Sequence, residues 1–241
     1  MPAKSSDRPP LILACDTTQG ACSVALYQDG LLGDACQEMT KGHAEALMPM
    51  LEKLCVETGI ATSAISRIGV THGPGTFTGV RVGLAAMRGL ALALNVPVKT
   101  YGTLAVMAAA AHRVKKAEDP LLVVVDAKRD TFYAQIFDPK ARPMDAPAAL
   151  STAQLSAFAK EMGTQHIAVC GTGAPILSEI WDGFYALDAP VFPQAAILAA
   201  IAAQDDDWHD LPPAEPLYLR PPDASLPDPE KRIQWRGARP I

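Results

Sequence analysis

Several features that would mark a specialised class of protein are scarce in this chain. Its 241 residues include five cysteines, an odd number without a C-x-x-C pair, which indicates neither a disulfide framework nor a zinc site. We therefore expect these cysteines to be reduced and mostly buried. The formal net charge is −5, which argues against a surface that holds nucleic acid unaided, because phosphate binding uses clustered Lys and Arg. Any contact with RNA is expected to need a basic partner.

Long apolar runs are missing too. The longest are shorter than the roughly 20 residues that a membrane span needs, and the opening MPAKSSDRPP has no apolar signal core. These features predict a cytoplasmic protein that does not span a membrane. Apolar residues as such are plentiful: they make up 49% of the chain, enough to bury one large core or two smaller lobes.

The first half predicts three strands followed by alternating helices and strands. LILACD is β-rich, and ACSVALYQDGLLGDACQE contains two alternating runs joined by Asp29-Gly30, a hairpin signal. HAEALMPMLEKLCVETG has a helical apolar period that ends at Gly59, although Pro49 predicts a kink or a later start. ISRIGVT, the helical segment Val80 to Leu94 and VPVKTYG complete the order βββαβαβ.

The second half starts again with a helix, TLAVMAAAAHRV. It continues through the strands PLLVVVD, TFYAQIFD and HIAVCG and the helical stretches STAQLSAFAKEM and AAILAAIAAQ. We predict an α/β fold in four parts: a flexible tail (1–10), a first lobe (11–102), a shorter second lobe (103–220) and an extended or disordered Pro-rich tail (221–241). AEPLYLR, just before that tail, is expected to be ordered.

The stretch THGPGTFTGVRVGLAAMRGLALAL raises the main functional question. It does not fit a Walker A loop, because Val80 and Arg81 stand where Lys and Ser or Thr are needed, and its glycines do not match G-x-G-x-x-G. The helix start could accept an anion, or the glycines could only shape the turn, with Thr78 as the cap. The small residues between Gly79 and Gly89 allow another helix to approach, within the same lobe or from a second chain.

The chain resembles the bacterial TsaB (YeaZ) family from Leu11 to Arg220, in LILACDTTQGACSVALYQDG, HAEALMPML, THGPGTFTGVRVGLAAMRGLALAL, VVVDAKRDTFYAQIFD, GTGA and AEPLYLR. This resemblance implies a two-lobed actin-like ATPase (ASKHA) fold with a mixed sheet and a smaller, degenerate second lobe. It also implies a non-catalytic subunit that supports TsaD, a glycoprotease-type relative. With the ATPase TsaE, TsaD forms N6-threonylcarbamoyladenosine at the adenosine 3′ of the anticodon in tRNAs reading ANN codons.

The resemblance also bears on metal and nucleotide sites. TsaD relatives carry an H-x-x-x-H metal pair, and the matching positions here are Thr103 and Met107, which are poor ligands for such an ion. The implied protein has no catalytic residue, no metal and no intrinsic cofactor, with ATP or ADP and Mg²⁺ only at an interface with its partner. The candidate nucleotide contacts are Asp16, Thr17, Thr18, Gly171 and Gly173. For the first three, an ordinary hairpin cap is the alternative.

The partner surface is expected on helices 43–58 and 80–94, for TsaD or for a second copy of this chain when TsaD is absent. Its candidate residues are His43, Leu47, Met50, Leu51, Leu54, Val82, Gly83, Ala86, Met87 and Leu90. TsaE and tRNA are expected to be reached only through the complex. Three alternatives remain: a glycoprotease-type metallopeptidase, an actin-like kinase with Asp126 as its base, and a self-associating scaffold.

Overall fold

The computed structural model describes residues 9–114, 118–161, 166–181 and 183–220. These residues form two five-stranded mixed sheets with helices packed on them. The predicted Pro-rich tail (221–241) and residues 1–8 of the predicted N-terminal tail lie outside the described residues.

The first lobe has the predicted order βββαβαβ. Its elements are β1 (Ile12–Asp16), β2 (Ala21–Tyr27), β3 (Leu31–Glu38), α1 (His43–Thr58), β4 (Arg67–Thr71), α2 (Phe77–Leu94) and β5 (Val98–Tyr101). The strands lie in the order β3-β2-β1-β4-β5. β1 is antiparallel to β2 and parallel to β4, and β4 is parallel to β5.

Strand β1 lies at the centre of this sheet and is covered on both faces. Leu13 and Cys15 belong to a core shared with α1 and α2, while Ala14 belongs to a separate cluster on the other face. All five residues of the strand are buried, as expected for a strand between two layers. The acidic residue at its end, Asp16, is thereby carried into the interior.

The ends of the first two helices differ in part from the predictions. Helix α1 begins at His43 with Pro49 inside it, so the proline does not delay the start. It ends at the predicted Gly59, whose φ of 68° is a left-handed value that glycine adopts without strain. The predicted Thr78 cap of α2 is wrong, because the helix starts earlier: the hydroxyl oxygen of Thr76 accepts a hydrogen bond from the Gly79 N–H at 3.1 Å.

The second lobe contains all the predicted strands and three further short elements. Its elements are α3 (Thr103–Val114), β6 (Leu121–Asp126), β7 (Phe132–Phe137), β8 (Ala148–Leu150), α4 (Thr152–Glu161), β9 (Ile167–Cys170), α5 (Ala174–Ile180) and β10 (Phe184–Ala186). The sheet order is β10-β9-β6-β7-β8. The sequence does not predict β8, α5 and β10, because a strand of three residues and a helix of seven are each too short to establish a hydrophobic period.

The predicted range of the second lobe, 103–220, is too long at its end. The last helix, α6 (Ala195–Ala203), packs on the first sheet, where Leu198 and Ala199 meet Ala14. Further along, Trp208 packs against Ile12 of the first sheet. The sequence of α6, AAILAAIAA, is apolar on all sides, so its pattern could not indicate which sheet it covers.

Helix α2 is long and apolar enough, by length and composition alone, to cross a membrane. Its 18 residues have a mean hydropathy of 1.4. In the structure Val80, Leu84 and Met87 are buried in the core beneath the first sheet. A core helix of a globular lobe meets the same length and composition criteria.

Candidate functional site

The glycine loop before α2 makes room for the turn that follows β1. A Cβ atom on Gly75 would overlap the Thr18 carbonyl oxygen, and one on Gly79 would overlap the Thr17 carbonyl oxygen. On Gly83 it would lie 2.6 Å from the Thr17 hydroxyl oxygen. Only glycine lets the two segments approach this closely. These glycines therefore allow close packing within the lobe. This is one of the two interpretations given above for the small residues between Gly79 and Gly89.

Hydrogen bonds fix the same contact. The Thr17 hydroxyl donates to the Gly79 carbonyl at 2.7 Å, and the Thr76 backbone N–H donates to the Thr18 carbonyl at 2.7 Å. The segment from Asp16 to Gln19 is buried throughout. The turn after β1 and the start of α2 therefore form one closed unit.

Asp16 is the chemically unusual residue of this unit. Its Oδ1 accepts hydrogen bonds from the hydroxyls of Thr18 at 2.7 Å and Thr71 at 2.5 Å. Among the described residues, none provides a hydrogen-bond partner for the other oxygen, Oδ2, although it is buried. Loss of solvent raises the pKa of this carboxyl to about 6, because the hydrogen bonds offset only part of the desolvation.

The first three candidate nucleotide contacts do not fit a phosphate in this conformation. Asp16, Thr17 and Thr18 are at most 1% exposed, and both threonine hydroxyls donate to protein acceptors. Thr18 also receives the Thr103 hydroxyl at 3.2 Å. The hairpin-cap alternative describes the geometry better than a phosphate loop does.

The other two candidates, Gly171 and Gly173, pack against β6. Gly171 has a φ of 96°, and a Cβ on it would overlap the carbonyl oxygen of Val124. The Gly173 N–H donates to the same carbonyl at 3.0 Å. These contacts with Val124 account for both glycines without a bound nucleotide.

Met107 lies where the turns of the two lobes meet. Its sulfur is 3.6 Å from the Gln19 amide nitrogen, and a Cβ on Gly171 would lie 3.1 Å from its methyl carbon. Met107 and Thr103 are both fully buried. Within the described residues, no three His, Cys, Asp or Glu side chains come together in a way that could hold a metal.

Five of the ten predicted interface residues lie inside the first lobe, and for these the prediction is corrected. Buried under the first sheet or against the Asp16 turn are Leu47, Leu51, Leu54, Gly83 and Met87. The sequence period identified the stripe of each helix that faces its own lobe. His43 is half-buried and contacts the Gln19 carbonyl through Nε2 at 2.9 Å, so it also has a role within the lobe.

The remaining predicted positions lie nearer the surface. Half-buried residues of this set are Met50, Val82, Ala86 and Leu90. Beside them on α2, Leu92 is 85% exposed and Gly89 has no atom within 4 Å of where a Cβ would lie. The outward face of α2 near its C-terminal half thus combines small and apolar residues with one exposed charged side chain, Arg88. Exposed apolar surface of this kind is a feature of surfaces that meet partners.

Sequence reasoning missed a cluster at the other end of α2. The Arg81 guanidinium lies 3.5 Å from the Phe77 ring centre, and its Nε donates to the Tyr218 hydroxyl at 2.7 Å. The Leu217 N–H donates to the His72 carbonyl at 2.7 Å. The segment AEPLYLR is therefore ordered as predicted, with Leu217 and Tyr218 as anchors on the glycine loop and α2.

Asp126, the alternative kinase base, is held by its own hairpin turn. Its two carboxylate oxygens accept from the Lys128 backbone N–H at 2.8 Å and from the Lys128 ammonium at 2.7 Å. Partial burial raises the pKa of the Asp126 carboxyl, but the two hydrogen bonds and the positive charge of Lys128 together outweigh it, so the net pKa is lowered. A carboxyl held as the anion by a neighbouring cation is a weak general base.

Comparison with known proteins identifies the family. A profile described as TsaD, tRNA N6-adenosine threonylcarbamoyltransferase, matches residues 33–211. The tRNA threonylcarbamoyladenosine biosynthesis protein TsaB of Escherichia coli is 35% identical over 122 residues, covering 51% of this chain and 52% of that protein. The chain thus spans about half the length of the curated relatives that it matches first.

Solved structures extend the match to the whole fold. A Pseudomonas aeruginosa structure described as similar to the peptidase YeaZ has a TM-score of 0.77 and 31% identity, covering 88% of this chain and all of that one. Component A of (R)-2-hydroxyglutaryl-CoA dehydratase from Acidaminococcus fermentans has a TM-score of 0.50 at 8% identity, with 81% and 98% coverage, and shows the fold alone. The predicted two-lobed α/β fold is confirmed. The TsaD profile covers most of this chain, and the chain covers the whole of the YeaZ-like structure. The chain therefore belongs to the TsaB (YeaZ) family.

Proposed function

We propose that this chain acts in the formation of N6-threonylcarbamoyladenosine in tRNA as a non-catalytic subunit that binds and supports TsaD. Family membership places the chain among proteins named for this modification. The observation that carries the specific role is the outward face of α2. Its exposed small and apolar residues extend along the helix, as expected for a surface that another protein covers.

The α2 face suits close contact between helices. Ala85, Gly89 and Ala93 are exposed and small, so a partner helix could approach the backbone. Val82, Ala86 and Leu90 lie half-buried beside them. A partner would therefore bury apolar surface at about 25 cal/mol per Å². The exposed Arg88, next to Gly89, would have to pair with an acidic group of the partner or remain at the rim of the contact.

Two buried residues, Thr103 and Met107, argue against catalysis by this chain. Thr103 and Met107 stand where TsaD relatives carry metal-binding histidines, and both contact other protein groups. A neutral hydroxyl and a thioether are unsuited to a hard or borderline metal ion. We accordingly place any ATP or ADP with Mg²⁺ at an interface with the partner, and TsaE and tRNA in contact with this chain only through the complex, in the cytoplasm.

A support role has a thermodynamic requirement. The subunit can activate TsaD only by binding its working conformation more tightly than its inactive one. A tenfold shift in that equilibrium corresponds to about 1.4 kcal/mol of differential binding. The apolar α2 face is sufficient for such a difference if it is fully covered in only one conformation of TsaD.

Reconstitution tests this role. Unmodified tRNA is incubated with TsaD and TsaE from the same organism, ATP and threonylcarbamoyl-adenylate, with and without this chain, and the modified nucleoside is measured. We expect strong stimulation by the chain and no product from the chain alone. Equal rates with and without it would refute the support role, and product from the chain alone would make it the enzyme.

A pair of arginine substitutions tests the surface. Gly89→Arg places a charge on the small-residue face, and we expect it to weaken TsaD binding at least tenfold, because an unpaired charge is costly to bury. The fold should tolerate the change, since Gly89 has open space and arginine is a better helix former than glycine. Gly30→Arg, at a second open position in the β2–β3 turn, is the matched control. Unchanged affinity for a folded Gly89→Arg protein would exclude the α2 face.

The same substitution separates heterodimer from homodimer. Without TsaD, we expect the α2 faces of two copies to meet, so Gly89→Arg should also shift the isolated chain toward monomer in sedimentation experiments. If the variant loses TsaD binding but the isolated chain keeps its oligomeric state, the two associations use different surfaces.

A further inference from the structure

A groove runs along the outer side of α1, next to the stripe that packs on the sheet. Leu51 and Cys55 form its floor, and the partly exposed side chains Met48 and Val56 form its apolar rim. The chain after the helix, from Gly59 to Thr62, closes one side. Its cavity volume is about 760 Å³, and Val56 is 77% exposed, so the groove offers apolar surface that the described residues leave uncovered.

The charge of this helix limits what can cover the groove. Three acidic residues, Glu45, Glu52 and Glu57, stand against one basic residue, Lys53, and Glu52 lines the groove itself. Lys53 is engaged with Glu57 at 3.7 Å. An occupant that matches both features must combine apolar side chains with positive charge.

The last eleven residues of this chain have that composition. The stretch KRIQWRGARPI, 231–241, contains Lys231 and three arginines but no acidic residue, within a chain whose net charge is −5. It also contains Ile233 and Trp235, and Trp is among the residues most often dominant in buried contacts. Charge and hydrophobicity are therefore both complementary to the groove.

The connecting chain is long enough. Tyr218 is fixed at the first turn of α2 through Arg81 and Phe77. Ten residues, 221–230, span up to about 33 Å when extended. Helix α2, which packs beside α1, is about 27 Å long, from 18 residues at 1.5 Å each.

We propose that residues 231–241 bind the α1 groove of the same molecule, with Trp235 and Ile233 over the rim of Met48 and Val56 and the basic side chains toward Glu52. The contact covers α1 but leaves the outward face of α2 free. It does not depend on the function proposed above, because it concerns two parts of one chain.

Zero-length carbodiimide cross-linking of the full chain tests the contact directly. The reagent joins an amine and a carboxylate only when they touch, so we expect an amide between Lys231 and Glu52, read by mass spectrometry. The Lys53–Glu57 pair is the internal positive control. Glu52→Gln should remove the Lys231 link, whereas Glu161→Gln, an exposed residue on α4, should not. An equal mixture of light and isotopically heavy protein distinguishes a link within one molecule from one between two.

Hydrogen exchange of the same full-length protein gives a second readout. Trp235→Ala should raise amide exchange severalfold in peptides covering 48–62 and leave those covering β6 and β7 unchanged. A Lys231 link scattered over the acidic residues of the second lobe would refute the proposal. So would Lys231 links that join light to heavy copies, which show contact between two molecules. Unchanged exchange at 48–62 in the Trp235→Ala protein would refute it as well.

Discussion

Replacement of Asp16 by asparagine tests the energetics of the buried turn. The folded protein holds this carboxyl without solvent, and burial raises its pKa from 3.8 to about 6. Asparagine has the same shape and keeps an oxygen that can accept from Thr18 and Thr71. The substitution therefore removes the ionisation while leaving the packing nearly unchanged.

The magnitude follows from the pKa difference. A rise of about two units corresponds to about 3 kcal/mol, at 1.36 kcal/mol per unit. Because the folded protein binds the proton more tightly, this stabilisation is complete below the unfolded pKa and is lost as the pH rises through the folded pKa. We therefore expect the Asp16 carboxyl to lower the free energy of unfolding by about 3 kcal/mol between roughly pH 4 and pH 6.

The Asp16→Asn protein should lack this pH-dependent loss. At pH 7.5 it avoids burial of a charge, but its amide N–H₂ replaces the unpartnered Oδ2, and an unsatisfied buried donor costs about 1–3 kcal/mol. Its net stability at that pH should thus equal that of the parent protein or exceed it by up to about 2 kcal/mol.

Urea unfolding at several pH values between 4 and 7.5 measures this effect, with the exposed Asp188→Asn as the control. The difference in unfolding free energy between parent and Asp16→Asn should change by about 3 kcal/mol across the series. A parallel pH dependence in both proteins would refute the desolvation argument. A loss of more than about 3 kcal/mol at pH 7.5 would show that the ionised carboxylate itself stabilises the fold.

Three further predictions concern local contacts. Gly83→Ala should destabilise the protein by about 1–3 kcal/mol, because the new Cβ meets Thr17 of the Asp16 turn. Gly89→Ala should stabilise it by up to about 1 kcal/mol, because that position is open and alanine is the better helix former. Equal melting temperatures for the two variants would contradict both expectations. Arg81→Ala should loosen the segment around Tyr218, seen as faster proteolysis there, and unchanged cleavage would show that other contacts hold the segment. Cys36, the one exposed thiol in the part of the chain described, should be the first cysteine alkylated in the native protein. It should react more slowly than a free thiol, because burial and nearby carboxylates raise its pKa. Simultaneous modification of several cysteines would contradict this prediction.

The sequence predicted well those elements whose pattern repeats several times. β1 to β5 and helices α1 to α3 are long enough for alternation or a helical period to appear, and hairpin residues mark the connection at Asp29. The failures have a physical cause. β8, α5 and β10 are held by their neighbours in the second sheet rather than by local preference, and α6 is too uniformly apolar to indicate which sheet it covers.

The candidate interface shows a different limit of sequence reasoning. A helical apolar stripe identifies the buried side of a helix, but it does not tell whether a lobe or another chain buries it. On α1 the predicted stripe through Leu47, Leu51 and Leu54 faces inward, and the groove lies beside it, with Met48 and Val56 at its rim. Because isolated apolar residues on an exposed face carry no period, only the folded structure could bring them together.

The glycines of the loop and α2 are a sharper case of the same limit. Gly83 and Gly89 are equivalent in the sequence, as small positions on one apolar helix, yet Gly83 faces the Thr17 hydroxyl and Gly89 faces open space. Glycine has no side chain whose polarity or size could indicate its neighbours, so the sequence could not distinguish a glycine that packs inside the lobe from one on a docking surface. The distinction decides which substitution is informative: a change at Gly83 reports on folding, while an arginine at Gly89 reports on the partner.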